Sequence, residues 1–182
     1  MLGLGAEEAR IRVEPLVPLP EQESDLPEIA MGVLETLLSL MEVTGSIVPQ
    51  ARHVAEGEEE AAVPIAFDIK GDDLGILIGR RGQTLASVQY ILRLIVGHQT
   101  NAWVPMVIDV EGYKQRRYEA LQSLAHRMAE QVKVRGVPFT LEPMPAYERR
   151  IIHLTLADSP DVTTESTGVG DYRKVVIFPQ TQ

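Results

Sequence analysis

Two short patterns in this sequence bring together residue types that handle anions. The first is Gly79-Arg80-Arg81-Gly82, set within Ile76 to Leu85 (Ile-Leu-Ile-Gly-Arg-Arg-Gly-Gln-Thr-Leu). A glycine on each side of two residues permits a tight turn and lets another backbone approach closely. The amides that open the next helix then face outward, where phosphate oxygens accept hydrogen bonds. Arg80 and Arg81 add charge at the tip. The spacing is not that of a P-loop, which needs G-x-x-x-x-G-K-[ST]. The second pattern is Arg149 and His153, in Glu148-Arg149-Arg150-Ile151-Ile152-His153. Residues four apart share one face of a helix. A neutral imidazole both donates and accepts, and a guanidinium forks onto phosphate. Arg150 widens that polar arc, and Ile151, Ile152 and Leu154 are expected on the opposite side.

The elements that position these groups can be read from periodicity. Apolar residues from Glu28 to Met41 recur at helical spacing until Gly45-Ser46 stops them. Strand-like runs follow at Ile47–Val54 and Ala62–Lys70, joined by an acidic loop, Glu56 to Glu60. After the glycine turn, a helix from about Gln83 to Gly97 carries Leu85, Val88, Leu92, Ile95 and Val96 on one face. A strand, Val104–Val110, precedes a long helix from about Tyr113 to Val134, with Leu121, Leu124, Ala125, Met128 and Val132 as its buried stripe. The last third reads as a short strand (Phe139–Leu141), a helix (Pro145–Ala157) and two strands (Val162–Ser166 and Arg173–Phe178). Helices and strands mix without βαβ alternation, so the expected class is α+β.

Composition narrows the function. The 182 residues are 45% hydrophobic, enough for a buried core, and contain no cysteine, which removes disulfide scaffolds and thiolate metal sites. The net charge of −9 is unevenly spread. Residues 1–70 hold 4 Lys and Arg against 14 Asp and Glu, whereas the remaining residues hold 13 against 12. A basic site is therefore confined to the second part, in the clusters at 80–81, 114–117, 149–150 and 173–174. The first 27 residues hold four prolines and no period, which predicts a flexible arm. Neither a signal-peptide pattern nor an 18-residue apolar run is seen, so a cytoplasmic setting without membrane insertion is expected. Histidines 53, 98, 126 and 153 lack metal-ligand spacing, and no G-x-S-x-G or H-E-x-x-H motif occurs. Glu148 and His153 lie about 140° apart around a helix and make no acid/base pair. Binding rather than catalysis is expected, with no cofactor and no metal.

The order α-β-β-α-α-β, with Gly-x-x-Gly between the paired helices, resembles a KH domain of type II topology. Downstream, Pro143-Met144-Pro145, the Arg149/His153 pair, Thr164-Glu165-Ser166-x-Gly168 and Arg173 to Ile177 follow one another. That series resembles the R-3-H domain, named for its Arg-x-x-x-His motif. A KH domain followed by an R-3-H domain is similar to the bacterial Jag/KhpB family. The division expected is an arm over 1–27, a KH domain over 28–111, a linking helix over 112–136 and an R-3-H domain over 137–182.

The resemblance implies binding of single-stranded RNA, with single-stranded DNA a related ligand. It also implies post-transcriptional effects on cell elongation, envelope synthesis and division, and partnership with a small stand-alone KH protein or self-association. The residues it points to are Ile78, Gly79, Arg80, Arg81, Gly82 and Gln83 at the KH loop. In the second domain they are Arg149, Arg150 and His153, supported by Arg173 and Lys174. A KH fold used only as a protein adaptor is the alternative, and the intact Gly-x-x-Gly loop speaks against it. Among the aromatics, Tyr172 beside Arg173 is the one expected at the surface.

Overall fold

The computed structural model describes residues 25–50, 65–101 and 103–180. Most of the expected arm, the Glu56–Glu60 loop and the strand segments at 51–54 and 62–64 lie outside the described residues. Helix α1 (Leu26–Leu40) opens with a proline in its first turn and Glu28 beside it, both suited to a helix N-terminus. It buries Ala30, Leu34 and Leu38, one turn apart each.

Strands β1 (Ser46–Gln50), β2 (Ile65–Lys70) and β3 (Met106–Val110) form one sheet in that order. β1 and β2 are antiparallel, with Ile47 opposite Ile69; β2 and β3 are parallel, with Phe67 opposite Ile108. A parallel pair cannot be closed by a hairpin and needs a crossover. Here the crossover is the short helix α2 (Gly75–Ile78), a 3-10 turn over Arg80–Gly82 and the long helix α3 (Gln83–Thr100). The crossover carries the glycine loop, so sheet topology itself places that loop at one end of the unit. Leu34 of α1 and Leu85, Leu92 and Val96 of α3 meet Ile69, Met106 and Ile108 of the sheet in one core. Each such fully buried aliphatic contributes about 1.5–3 kcal/mol.

Helix α4 (Tyr113–Arg135) follows Gly112, which takes the left-handed conformation at φ 68°. Asp109 Oδ1 accepts the backbone N–H of Val110 at 2.8 Å and that of Lys114 at 3.2 Å, tying the first turn of α4 to the end of β3. The sequence suggests a link over 112–136, yet α4 is also structural. Leu121, Ala125, Met128, Ala129 and Val132 are buried in the second core, and Leu124 packs against it only partly buried. That core is completed by β4 (Phe139–Thr140), α5 (Ala146–Thr155), β5 (Val162–Thr167) and β6 (Lys174–Pro179), chiefly through Ile152, Leu156, Val162, Val175 and Ile177. β6 lies between β4 and β5 and is antiparallel to both. The chain is thus α+β, with two cores, and α4 touches both: its buried stripe lies in the second, and Tyr113 in its first turn packs against the first. No helix among the described residues is long and apolar enough to cross a membrane.

Candidate nucleic-acid interface

The glycine loop is shaped by its own neighbours. Gly79 has φ 65°, and a Cβ there would come within 2.7 Å of Thr84 Cβ, so only glycine fits. Arg81 adopts φ 53° and ψ 36°, a left-handed conformation that costs a non-glycine residue about 1 kcal/mol. Gly82, at φ 75°, caps α3, whose first amides receive no side-chain cap. Gln83 and Arg80 are exposed, while Ile78 is half-buried against the first core.

Two expectations for this loop are revised by its contacts. Arg81 does not extend from the tip into solvent: its guanidinium pairs with the Glu142 carboxylate, and its carbonyl accepts the Tyr147 hydroxyl at 2.7 Å. Gly82 does not lie open to an approaching strand. It is buried, and an added Cβ would meet Tyr113 Cε1 at 3.1 Å and the Tyr147 hydroxyl at 3.3 Å. The second unit therefore packs on one flank of the loop, leaving Gly79, Arg80 and Gln83 as the accessible part.

In the second unit, Arg149 and His153 share the face of α5 that looks onto β5. His153 Nδ1 lies 2.7 Å from Thr164 Oγ1 and Nε2 lies 2.8 Å from Ser166 Oγ. Arg149 donates to Ser166 Oγ at 3.1 Å and to the Met144 carbonyl at 3.3 Å. Partial burial, then the neighbouring Arg149 charge, hold the His153 pKa below its usual value, so the ring is neutral at pH 7. Arg150, in the middle of α5, and Arg173 are exposed, and Lys174, which opens β6, is half-buried. Leu154 departs from expectation. It is 63% exposed, because it sits about 160° around the helix from the buried Ile152. Tyr172 is exposed, in a 3-10 turn over Gly170–Tyr172.

Several residues of the interface carry no sequence signal strong enough to single them out. Glu148 is fully buried and accepts both Nε and Nη2 of Arg117, at 2.7 and 2.9 Å. This fork ties α4 to α5, and the Glu148 bond raises the Arg117 pKa. Burial first, then the Glu148 charge, push the Tyr147 phenol up to about 12, so its hydroxyl stays protonated and donates to the loop. Ser166 and Thr164, which orient the histidine, lie in the Thr164-Glu165-Ser166 segment that carries the resemblance, and that context is the signal that would find them.

Comparison with known proteins finds two family models, each over its own stretch of the chain. The KhpA/KhpB KH domain model matches residues 39–108, and the R-3-H domain model matches residues 119–179. The RNA-binding protein KhpB of Clostridium symbiosum is 38% identical over 176 residues, covering 97% of this chain and 73% of that relative. The RNA-binding protein KhpB of Bacillus subtilis is 35% identical over 121 residues, covering 65% of this chain and 58% of that relative. That of Lactiplantibacillus plantarum is 38% identical over 103 residues, only 32% of its own length. With its KH crossover loop, its Arg149/His153 face and a relative that matches it nearly end to end, the chain belongs to the KhpB family.

Proposed function

We propose that this protein binds single-stranded RNA without catalysing a reaction on it. The observation that carries the reading is the Gly79–Gly82 crossover loop, which holds an exposed Arg80 beside the uncapped first amides of α3. KhpB relatives named as RNA-binding proteins support it. In this reading Gly79, Arg80 and Gln83 receive the sugar-phosphate backbone, Ile78 lines the adjoining apolar groove, and Arg81 and Gly82 brace the loop. Arg149, Arg150, His153, Arg173 and Lys174 form a second contact for phosphate or a base edge. Single-stranded DNA, which carries the same phosphate charge, is a related ligand of this reading.

The wider role follows from the family: cytoplasmic post-transcriptional control tied to cell elongation, envelope synthesis and division. A protein partner joins this reading because α3 presents Tyr90, Ile91 and Leu94 outward, at 63%, 43% and 55% exposure. A small stand-alone KH protein, or a second copy of this chain, is the partner that such a face suits.

The test is fluorescence anisotropy with a 12-nucleotide single-stranded RNA at two salt concentrations, comparing the parent with Arg80→Glu and with Arg149→Ala/His153→Ala. Affinity should fall in both variants, with a shallower salt dependence, since single-stranded binding loses about 0.7 log units per phosphate contact for each tenfold rise in salt. Parent-like binding by both variants, or no binding by the parent, overturns the reading.

A further inference from the structure

Between the two units lies a cleft of about 380 Å³, within the size range of small-ligand sites. Its walls are almost wholly apolar and aromatic: Leu85 from α3, Tyr113 and Tyr118 from α4, and Tyr147 and Ile151 from α5, with Gly82 at one end. Neither the family motifs nor the Arg149/His153 pair accounts for it. Arg149 and His153 face β5, about 120–160° around α5 from Tyr147 and Ile151. Two of its tyrosines, Tyr118 and Tyr147, are 41% and 48% exposed, so neither belongs to a core.

We propose that this cleft takes one unstacked base of the RNA strand whose phosphates lie on the Gly79–Gly82 loop. The inference rests on the RNA-binding reading and adds a base-binding subsite to it. Three observations favour a base over an aliphatic ligand. Three phenol rings in one small cleft offer π faces, on which bases of any sequence stack. Lys114 and Arg117 also line the cleft, and no carboxylate does, so nothing in its lining repels a strand that enters with its phosphates. The Arg117 charge is balanced by the buried Glu148, so the site carries no unpaired anion to repel that strand. Finally, Gln89 Oε1 accepts from the Ile108 N–H at 3.2 Å and from Lys114 Nζ at 2.9 Å, leaving its amide N–H groups as donors to a base edge. Continuity decides the register. Gly82 both ends the loop and lines the cleft, so the base it holds belongs to a nucleotide adjacent to those on the loop.

The test uses the full chain and a 12-nucleotide oligoadenylate in which 2-aminopurine replaces each adenine in turn. One position should show strong fluorescence quenching with the parent protein. Ala86→Met, which fills the cleft from an exposed position of α3, and Tyr118→Ala, which removes one ring, should each abolish that quenching. Both should weaken anisotropy-measured affinity about tenfold or more, with an unchanged salt slope, because stacking is removed while the phosphates stay engaged. Thermal melting of both variants near the parent value would attribute the loss to the cleft. Parent-like affinity and quenching in both variants, while Arg80→Glu still weakens binding, would overturn the subsite and leave RNA binding standing. Absence of binding by the parent would overturn both.

Discussion

Arg149 and His153 share one hydroxyl. Ser166 Oγ lies 3.1 Å from Arg149 Nη1 and 2.8 Å from His153 Nε2, so a strand residue holds these two side chains of α5 in a fixed register. The arrangement keeps the imidazole neutral beside a permanent charge, because burial and Arg149 both disfavour its protonation. An incoming phosphate would reverse that balance, since an anion favours the charged ring.

A pH dependence of stability follows. A histidine whose pKa is lower folded than unfolded binds fewer protons in the native state between the two values. Stability therefore rises with pH across that window and falls as pH drops below the ordinary histidine value of about 6.5. The melting temperature of the parent should decrease between pH 7 and pH 5.5. His153→Gln, which keeps a polar partner for Ser166 and Thr164, should show a flatter profile over the same range. Equal slopes for both proteins would mean that His153 does not titrate within the unfolding transition.

The same residue makes RNA affinity respond in the opposite direction. If phosphate meets His153, binding takes up a proton, and affinity should increase from pH 7.5 to pH 6 in the parent while His153→Gln stays level. Anisotropy titrations at constant ionic strength would show it; a flat parent profile places the phosphate elsewhere.

Sequence reasoning reached the elements and the two motifs because both are local. Helical spacing exposed the α3 and α4 stripes, and Gly79 and Gly82 marked the crossover turn. What it could not reach are pairings across the fold. Arg81 and Glu142 are 61 positions apart, and Arg117 and Glu148 are 31 apart. Each of these four reads as surface charge until tertiary packing brings its partner within reach. Leu154 shows the reverse error: three apolar residues close in sequence spread around α5, and only Ile152 is fully buried. The shared role of α4 in both units was hidden for the same reason, since a stripe tells that a helix is covered and not by which core.

The Arg81–Glu142 pair makes the loop available to be tuned. Glu142 is 83% exposed at its side chain, so an ion pair there contributes at most about 1 kcal/mol to stability. Glu142→Gln should leave the melting temperature nearly unchanged and release the Arg81 guanidinium. In the RNA-binding reading the variant should bind more tightly at low salt, with the salt slope steeper by about 0.7 as the freed guanidinium meets one more phosphate. An unchanged slope would show that Arg81 stays docked against the second unit through its backbone contact with Tyr147.

The Arg117–Glu148 fork should behave differently, because one of its members has no access to water. Glu148 is fully buried and Arg117 has a side-chain exposure of 29%, so removing the guanidinium strands a carboxylate in the protein interior. Arg117→Met keeps the length and apolar stem of the side chain and should still cost about 3 kcal/mol, the low end for a broken buried pair given the partial exposure of Arg117. The double variant Arg117→Met/Glu148→Met removes the orphan charge and should recover much of that loss, which denaturant unfolding at neutral pH would measure. Because Tyr147 donates to the Arg81 carbonyl from the residue next to Glu148, the single variant should also loosen the contact between α5 and the glycine loop. Faster amide exchange at Arg81 and Gly82 would report it. Wild-type stability in Arg117→Met would mean that water or a neighbouring donor reaches Glu148, and that the fork orients α5 without holding it.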